Sequence, residues 1–149
     1  MSVGEVCNRE VVVIDAEASV LEAAHLMREF HVGDVVVVEQ RRGMRVPKGI
    51  LTDRDIVLEI VAKEIDPATV SCGDAMSYDL RLVSESDDLL DAMEQMRSRG
   101  VRRLPVVDDD GALAGILAVD DLIELAAEQL TDLVALISRE RQREERLRH

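Results

Sequence analysis

The sequence repeats itself, and this repeat limits the folds open to the chain more than any other feature. Residues 4–39 can be laid on residues 73–108 without a gap, each position displaced by 69. The first copy then carries three extra residues, and the register resumes with Gly49 on Gly115, displaced by 66. The two copies account for most of the 149 residues, and the length difference falls where a hairpin tip is expected.

Each copy shows the same order of local signals. Ser19 and Glu22 have the spacing of a helix capping box, and Asp88 can cap the equivalent helix of the second copy. Second helices are expected to start near Asp53 and near Val119. Short apolar and β-branched runs between these helix signals predict strands, so that each copy reads β-α-β-β-α. The predicted strand runs are residues 11–14, 35–38 and 49–51 in the first copy and residues 80–83, 104–107 and 114–117 in the second.

A single repeat of this size would leave the apolar face of its sheet in water. We therefore predict a mixed α/β fold in which the two repeats pack sheet to sheet with pseudo-twofold symmetry. A further apolar periodicity predicts that one long helix runs from about Asp121 to Leu147. The predicted organisation is a first repeat at residues 1–65, a linker at 66–72, a second repeat at 73–127 and a C-terminal helical extension at 128–149.

Composition argues against several classes of partner. The chain has one Phe, one Tyr and no Trp, so aromatic platforms that stack nucleic-acid bases are not expected. Its formal net charge of -13 would repel phosphate backbones and anionic membrane surfaces. It has no apolar run of membrane-spanning length, and its N-terminus lacks the order of a signal peptide. We expect a cytoplasmic protein with no nucleic-acid and no membrane partner.

The sequence offers no pattern for catalysis or metal binding. Cys7 and Cys72 lack metal-type spacing and are expected to be reduced structural thiols. His25 and His31 have no nucleophile or second ligand near them in the sequence. We therefore predict that the chain is not an enzyme, has no catalytic residues and no metal site, and requires no cofactor.

Two segments resemble the cystathionine-β-synthase-type (CBS) domain family. Residues 100–108 read Gly-Val-Arg-Arg-Leu-Pro-Val-Val-Asp, and residues 49–55 read Gly-Ile-Leu-Thr-Asp-Arg-Asp. With the tandem repeat, the resemblance extends to about Ala127 and is that of a stand-alone bacterial or archaeal CBS pair. It implies a regulatory module that binds AMP, ADP or ATP between the repeats, forms a homodimer and signals to a separate, unidentified protein.

Three residues of the heptapeptide also have a reading that needs no family. Gly49 would let the backbone pass close to a flat ligand. Thr52 offers a hydroxyl at a helix start, where free N–H groups can bind a phosphate, and Asp55 can accept hydrogen bonds from two ribose hydroxyls. The alternative is that Thr52 or Asp53 caps the helix and Asp55 occupies its first turn.

The resemblance implies that each cleft joins the Thr-and-Asp end of one repeat to the segment before the Pro-Val strand of the other. Arg102 and Arg103 would then lie beside the phosphate and offset the acidic body. The alternative is that both are solvated surface charges. The expected first site consists of Gly49, Ile50, Thr52, Arg54, Asp55, Val101, Arg102 and Arg103.

The second copy departs from the nucleotide pattern. Ala118 stands where the hydroxyl should be, and Asp34, at the position that Arg103 holds in its copy, would repel a phosphate. We therefore predict a second, weaker site and asymmetric occupancy. Its expected residues are Asp121, Ala118, Val32, Gly33 and Asp34.

Two other readings remain open. S-adenosylmethionine or NAD(H) can replace the nucleotide, since apolar packing and backbone hydrogen bonds tolerate related adenine ligands. Alternatively, the chain is a structural dimerisation module whose ligand clefts are vestigial.

Overall fold

The computed structural model describes residues 1–77 and 80–148, and it contains two three-stranded sheets. In each sheet the first strand is parallel to the second and the second is antiparallel to the third. The first sheet comprises β1 (Val13–Asp15), β2 (Asp34–Arg41) and β3 (Met44–Thr52), and the second comprises β4 (Val83–Ser84), β5 (Arg103–Val107) and β6 (Leu113–Ala118). The two halves that repeat in sequence therefore also share the same strand order and strand directions.

The four helices predicted from the sequence begin where its signals place them. Ser19 Oγ accepts a hydrogen bond from Glu22 N–H at 3.2 Å, and the Glu22 carboxylate accepts one from Ser19 N–H at 2.9 Å, which is the predicted capping box. The helices are α1 (Val3–Val6), α2 (Val20–Phe30), α3 (Asp53–Ile56), α4 (Cys72–Ala75), α5 (Leu89–Arg99) and α6 (Val119–Arg148). A π-helical segment, Val57–Val61, continues α3.

The short helix that opens each repeat packs on the sheet of the other repeat. Val3 N–H donates to the carbonyl of Asp87 at 2.9 Å, and the Val3 side chain is fully buried in the core of the second sheet. Cys72 N–H donates to the carbonyl of Ala18 at 2.7 Å, and its side chain is fully buried in the core of the first sheet. This exchange was not predicted from the sequence, and it joins the two repeats through backbone hydrogen bonds.

Each sheet has its own apolar core, and the two cores use equivalent positions of the repeat. The buried residues of the first are Ile14, Val20, Ala23, Met27, Val35, Val37, Leu51, Ile60 and Cys72. Those of the second are Val3, Val83, Leu89, Ala92, Met96, Leu104, Val106 and Leu117. The sheets contact each other through β3 and β6, so the predicted α/β fold with paired sheets is confirmed.

The second repeat ends in a helix much longer than its counterpart. The 30-residue α6 confirms the predicted long helix and C-terminal helical extension. Every described residue of α6 from Ala126 onward is exposed, and His149 lies outside the described residues. Across residues 1–77 and 80–148, we find no helix with the length and apolar character needed to cross a membrane.

Candidate ligand-binding site

A cavity of about 250 Å³ lies between the two repeats. It opens where β3 ends and α3 begins, opposite the segment that leads into β5. The described residues that line it are Ile50, Thr52, Asp55, Ser77, Leu80, Arg81, Val101, Arg102, Arg103 and Pro105.

Most of the residues predicted for the first site come together in this cavity. The first repeat contributes Ile50, Thr52 and Asp55, and the second repeat contributes Val101, Arg102 and Arg103. The remaining two predicted residues, Gly49 and Arg54, do not belong to its lining.

Among the described lining residues, sequence reasoning missed four, of which Ser77 and Arg81 have polar side chains. Ser77 N–H donates to the carbonyl of Ile50 at 3.2 Å, which fixes the chain after α4 beside β3. This segment reaches the cavity only because α4 packs on the first sheet. Ser77 and Arg81 could therefore not be predicted from the sequence without knowing that α4 crosses to the first sheet.

Thr52 and Asp55 form a capping box at the start of α3. Thr52 Oγ1 accepts from Asp55 N–H at 3.0 Å, and Asp55 Oδ2 accepts from Thr52 N–H at 3.0 Å. The capping interpretation of these residues is therefore correct, and both still face the cavity. The Thr52 hydroxyl keeps its own hydrogen for donation, and the second carboxylate oxygen of Asp55 keeps its acceptor capacity.

The packing around Gly49 leaves no room for a side chain. A Cβ atom there would lie 2.5 Å from Met76 Sδ and 2.8 Å from the carbonyl oxygen of Ser77. The equivalent Gly115 is as constrained, because its Cβ would lie 2.8 Å from Cys7 Sγ. Both glycines thus accommodate the exchanged opening segments, which gives the motif glycine a structural reason in addition to the predicted closeness to a ligand.

Three of the described residues that line the cavity are arginines. Arg102 is largely exposed, with its Nη2 4.0 Å from Asp120 Oδ1. Arg103 is about 40% exposed, and its Nε forms an ion pair with Asp34 Oδ2 at 2.5 Å. The third cation is Arg81. The alternative that these two arginines are solvated surface charges therefore fits Arg102 better than Arg103.

Asp34, which was predicted for the second site, instead contacts an arginine of the first. The two residues occupy equivalent positions of the repeat, each the first residue of the central strand of its sheet. A residue near a twofold axis meets its own equivalent, which explains how sites on opposite sides come to share this ion pair. Burial raises the pKa of Asp34, Arg103 opposes this rise and Asp53 adds to it.

The other residues predicted for the second site are more dispersed. Ala118 N–H donates to Asp121 Oδ2 at 3.1 Å, as the first motif does at Asp55. Val32 and Asp121, however, line separate depressions. Asp121 shares its depression with Glu5, Glu124 and Glu128, a setting that disfavours phosphate.

Comparison with known proteins identifies the repeats. The family model for the CBS domain matches residues 3–62 and 72–128, which together form most of the chain. The chain belongs to the CBS domain family. Pairs of CBS domains generally act as regulatory modules that bind ligands.

Relatives of this CBS pair occur in bacteria and archaea. The CBS domain-containing protein YhcV from Bacillus subtilis is 38% identical over 121 residues, which cover 81% of this chain and 82% of that protein. An uncharacterized protein from Methanopyrus kandleri is 37% identical over 125 residues, which cover 84% of this chain. The CBS pair spans only 62% of the length of that archaeal relative.

A solved structure supports the same fold. Hypoxic Response Protein I, determined with two coordinated zinc ions, is 27% identical to this CBS pair, with a TM-score of 0.73 over 83% of this chain and 98% of that chain. A protein of nearly the same name from Mycobacterium tuberculosis is also 27% identical, over 118 residues. In the part of this CBS pair that the structure describes, no three His, Cys, Asp or Glu side chains converge as metal ligands would.

The cavity of this CBS pair combines three kinds of surface. Arginines and the Thr52 hydroxyl can donate hydrogen bonds to an anion, while the Asp55 carboxylate can accept them from hydroxyls. Apolar side chains form another part of the wall. This combination suits a ligand with a flat apolar part, hydroxyl groups and a negative charge. The apolar lining residues are Ile50, Leu80, Val101 and Pro105.

Proposed function

We propose that this CBS pair is a regulatory module, not an enzyme, which binds AMP, ADP or ATP in the cavity between its repeats. The observation that carries the proposal is the meeting of Thr52 and Asp55 from one repeat with Arg102 and Arg103 from the other. Groups suited to a ribose and groups suited to a phosphate thus come together in one cavity.

The proposed pose follows from the chemistry of the wall. The ribose hydroxyls donate to Asp55, and the phosphate accepts from the Thr52 hydroxyl and the arginines. The adenine ring lies against apolar side chains such as Ile50 and Val101. The cavity of about 250 Å³ is slightly smaller than the roughly 300–1,000 Å³ of typical ligand pockets, which favours a mononucleotide over a dinucleotide such as NAD(H).

In this proposal, the nucleotide acts by bridging the two repeats. A ligand shifts a conformational equilibrium by its differential affinity for the two states, and contacts to both repeats provide such a difference. The altered surface is read by a separate protein whose identity is open, and the module acts as a homodimer. The second site is weaker because Ala118 offers no hydroxyl and Asp121 lies among carboxylates. Location in the cytoplasm stays a prediction.

Thermal unfolding with increasing AMP, ADP, ATP, S-adenosylmethionine and NAD tests the proposal. A ligand that binds only the folded state stabilises it by about 2.7 kcal/mol at 100 times its Kd. The expected result is a dose-dependent rise in Tm with at least one of the three nucleotides, lost in Asp55→Ala. Glu22→Ala is the matched control, because Glu22 accepts the equivalent capping hydrogen bond from Ser19 N–H, at 2.9 Å, and does not line the cavity.

Each other outcome selects a different reading. A rise in Tm with S-adenosylmethionine or NAD alone would change the proposed ligand class but keep the proposed site. No shift with any ligand would favour the dimerisation module with vestigial clefts. If both variants lost the ligand-induced rise in Tm to the same extent, the loss would not be specific to Asp55, and the proposed pose would be contradicted.

A further inference from the structure

The hairpin that joins β2 to β3 is longer than its counterpart in the second repeat. After the register shift in the first sheet, the pairing of β2 with β3 continues through four residue pairs and ends at Arg41 and Met44. In the second sheet, the single pair of Val107 and Leu113 follows the equivalent shift. The three additional pairs lengthen the hairpin by roughly 10 Å. The insertion in the first copy therefore forms a hairpin that extends past its counterpart.

The tip of this hairpin contains a residue that its turn does not favour. Arg42 and Gly43 have φ of +52° and +78°, and positive φ at both positions is typical of the two-residue type I′ turn. This turn favours Asn, Asp or Gly, because most other side chains are strained in the left-handed region. The stability of the turn therefore does not explain a cation at Arg42, and strain of this kind is commonly retained for function.

The hairpin is basic in a chain that is otherwise strongly acidic. Residues 40–48, the basic hairpin, contain no carboxylate, whereas the equivalent residues 109–114 contain two Asp and no cation. The four cations are Arg41, Arg42, Arg45 and Lys48, and without them the formal net charge of -13 would be -17. The basic hairpin thus has the opposite charge to the rest of the chain.

The protein itself neutralises little of this positive charge. Glu39 pairs with Arg41 at 3.2 Å and with Lys48 at 3.7 Å, so one carboxylate serves two cations. Arg42 and Arg45 are exposed, and neither forms an ion pair with any residue that the structure describes. The basic hairpin therefore presents two guanidinium groups that can still bind carboxylates from outside the chain.

The composition of the basic hairpin indicates a protein partner. Arg and Met are enriched at protein–protein interfaces, and the hairpin has three Arg beside the partly buried Met44. It has no aromatic side chain on which a nucleic-acid base could stack. A duplex or an anionic membrane is an extended surface that would also face the acidic remainder of the chain and be repelled. A short acidic segment can contact the hairpin alone.

We infer that the basic hairpin is a docking surface for an acidic segment of a partner protein. Charged side chains on an edge strand also hinder the association of sheet edges. That role requires neither four charges of one sign nor a cation at the strained position of Arg42. The docking surface does not depend on nucleotide binding, so its test needs no nucleotide.

Fluorescence anisotropy of the full chain with a labelled peptide that alternates Glu and Ser tests the inference. Salt of about 0.15 M screens charges beyond about 8 Å and leaves direct contacts with the hairpin. The acidic peptide is expected to bind, and the same peptide with Gln in place of Glu is not. The variant Arg42→Glu/Arg45→Glu is expected to weaken binding at least about tenfold, because each reversal turns an attraction into a repulsion.

The variant Arg141→Glu/Arg143→Glu is the matched control, since it changes the net charge equally but lies near the end of α6. It is expected to alter the affinity for the acidic peptide less than about twofold. Thermal unfolding of both variants confirms that they fold.

Three results would overturn the inference. The first is that the acidic peptide does not bind, or binds no better than its Gln counterpart, which would leave the hairpin charges with the protection of a sheet edge. The second is equal weakening in the two variants, which would assign binding to overall charge. The third is binding of a single-stranded oligonucleotide or of phosphatidylserine vesicles that Arg42→Glu/Arg45→Glu abolishes, without binding of the acidic peptide, which would assign the hairpin to another class of partner.

Discussion

Asp34 competes with any phosphate for Arg103, and its replacement by Asn is expected to strengthen nucleotide binding. The Asp34 carboxylate contacts Arg103 Nε, while the arginine also lines the cavity. A phosphate bound there must share the guanidinium with this carboxylate and is repelled by its charge. Asp34→Asn removes the charge but keeps a side chain of nearly the same size with an oxygen beside Arg103, so the shape of the contact changes little.

The magnitude follows from contact distances and Coulomb's law. A phosphate on the opposite side of the guanidinium would lie about 7 Å from the Asp34 carboxylate, given normal charge-assisted hydrogen bonds. At an effective dielectric constant of about 20 to 40, two unit charges at that distance repel by about 1–2 kcal/mol. Since Arg103 is about 40% exposed, solvent screening favours the lower part of this range. Removing the repulsion corresponds to binding about 5- to 30-fold tighter.

Isothermal titration calorimetry with AMP and with adenosine provides the assay and its control. Asp34→Asn is expected to tighten AMP binding by that factor and to leave adenosine, which has no phosphate, within about twofold of the wild type. Arg103→Gln is expected to weaken AMP binding and to remove most of the effect of Asp34→Asn in the double variant. An unchanged or weaker AMP affinity in Asp34→Asn, or an equal gain for adenosine, would refute competition between carboxylate and phosphate.

Further predictions concern the pH dependence of stability, thiol reactivity and the motif glycine. Burial raises the pKa of Asp34, so ionisation of this carboxyl group is less favourable in the folded state than in the unfolded state. The free energy of unfolding of the wild type, relative to that of Asp34→Asn, should therefore fall as pH rises through the titration of Asp34. Urea unfolding measures this difference, and an increase with pH would contradict the prediction. Burial raises the pKa of Cys72 from 9.0 to about 11, so at pH 8 its thiolate fraction is about 100-fold below that of an unfolded cysteine, and iodoacetamide should modify the partly exposed Cys7 well before Cys72 in mass spectrometry of the native protein. Gly49→Ala should lower the free energy of unfolding by about 1–3 kcal/mol through overpacking. Gly43→Ala should cost about 1 kcal/mol, because Gly43 has φ of +78° but nothing within 4 Å of a Cβ, and a larger loss at Gly43 than at Gly49 would count against the packing argument.

Local signals in the sequence were sufficient for most elements of this fold, although not for the opening helices α1 and α4. Ser19 and Glu22 form the capping box that their spacing predicts, because the two groups lie within one helical turn and need no distant partner. The second and third strands of each sheet were predictable for a related reason, whereas the predicted first strands at residues 11–14 and 80–83 overlap the observed β1 and β4 only at their ends. A β-branched run such as residues 35–38 has a strong preference for a strand and is buried on both faces here.

The candidate site was predictable only in part. Thr52 and Asp55 belong to one short motif, and the repeat with the CBS resemblance directed attention to Arg102 and Arg103. Arg81 lines the same cavity but carries no motif, since its place depends on the path of the chain after α4. The sequence also indicated that Asp34 and Arg103 are equivalent, but it did not show that equivalent residues would touch.

The sequence alone therefore determined the repeat, the order of the strands and of the helices other than α1 and α4, and the residues of the nucleotide-type motif, because capping, β-branching and apolar periodicity act over a few residues. Only the tertiary structure decided which surfaces meet. The opening helices α1 and α4 cross to the opposite sheets, and Asp34 pairs with Arg103 across the pseudo-twofold axis. These contacts join residues about seventy positions apart, and their free energy depends on how two complete sheets pack, which no local preference encodes.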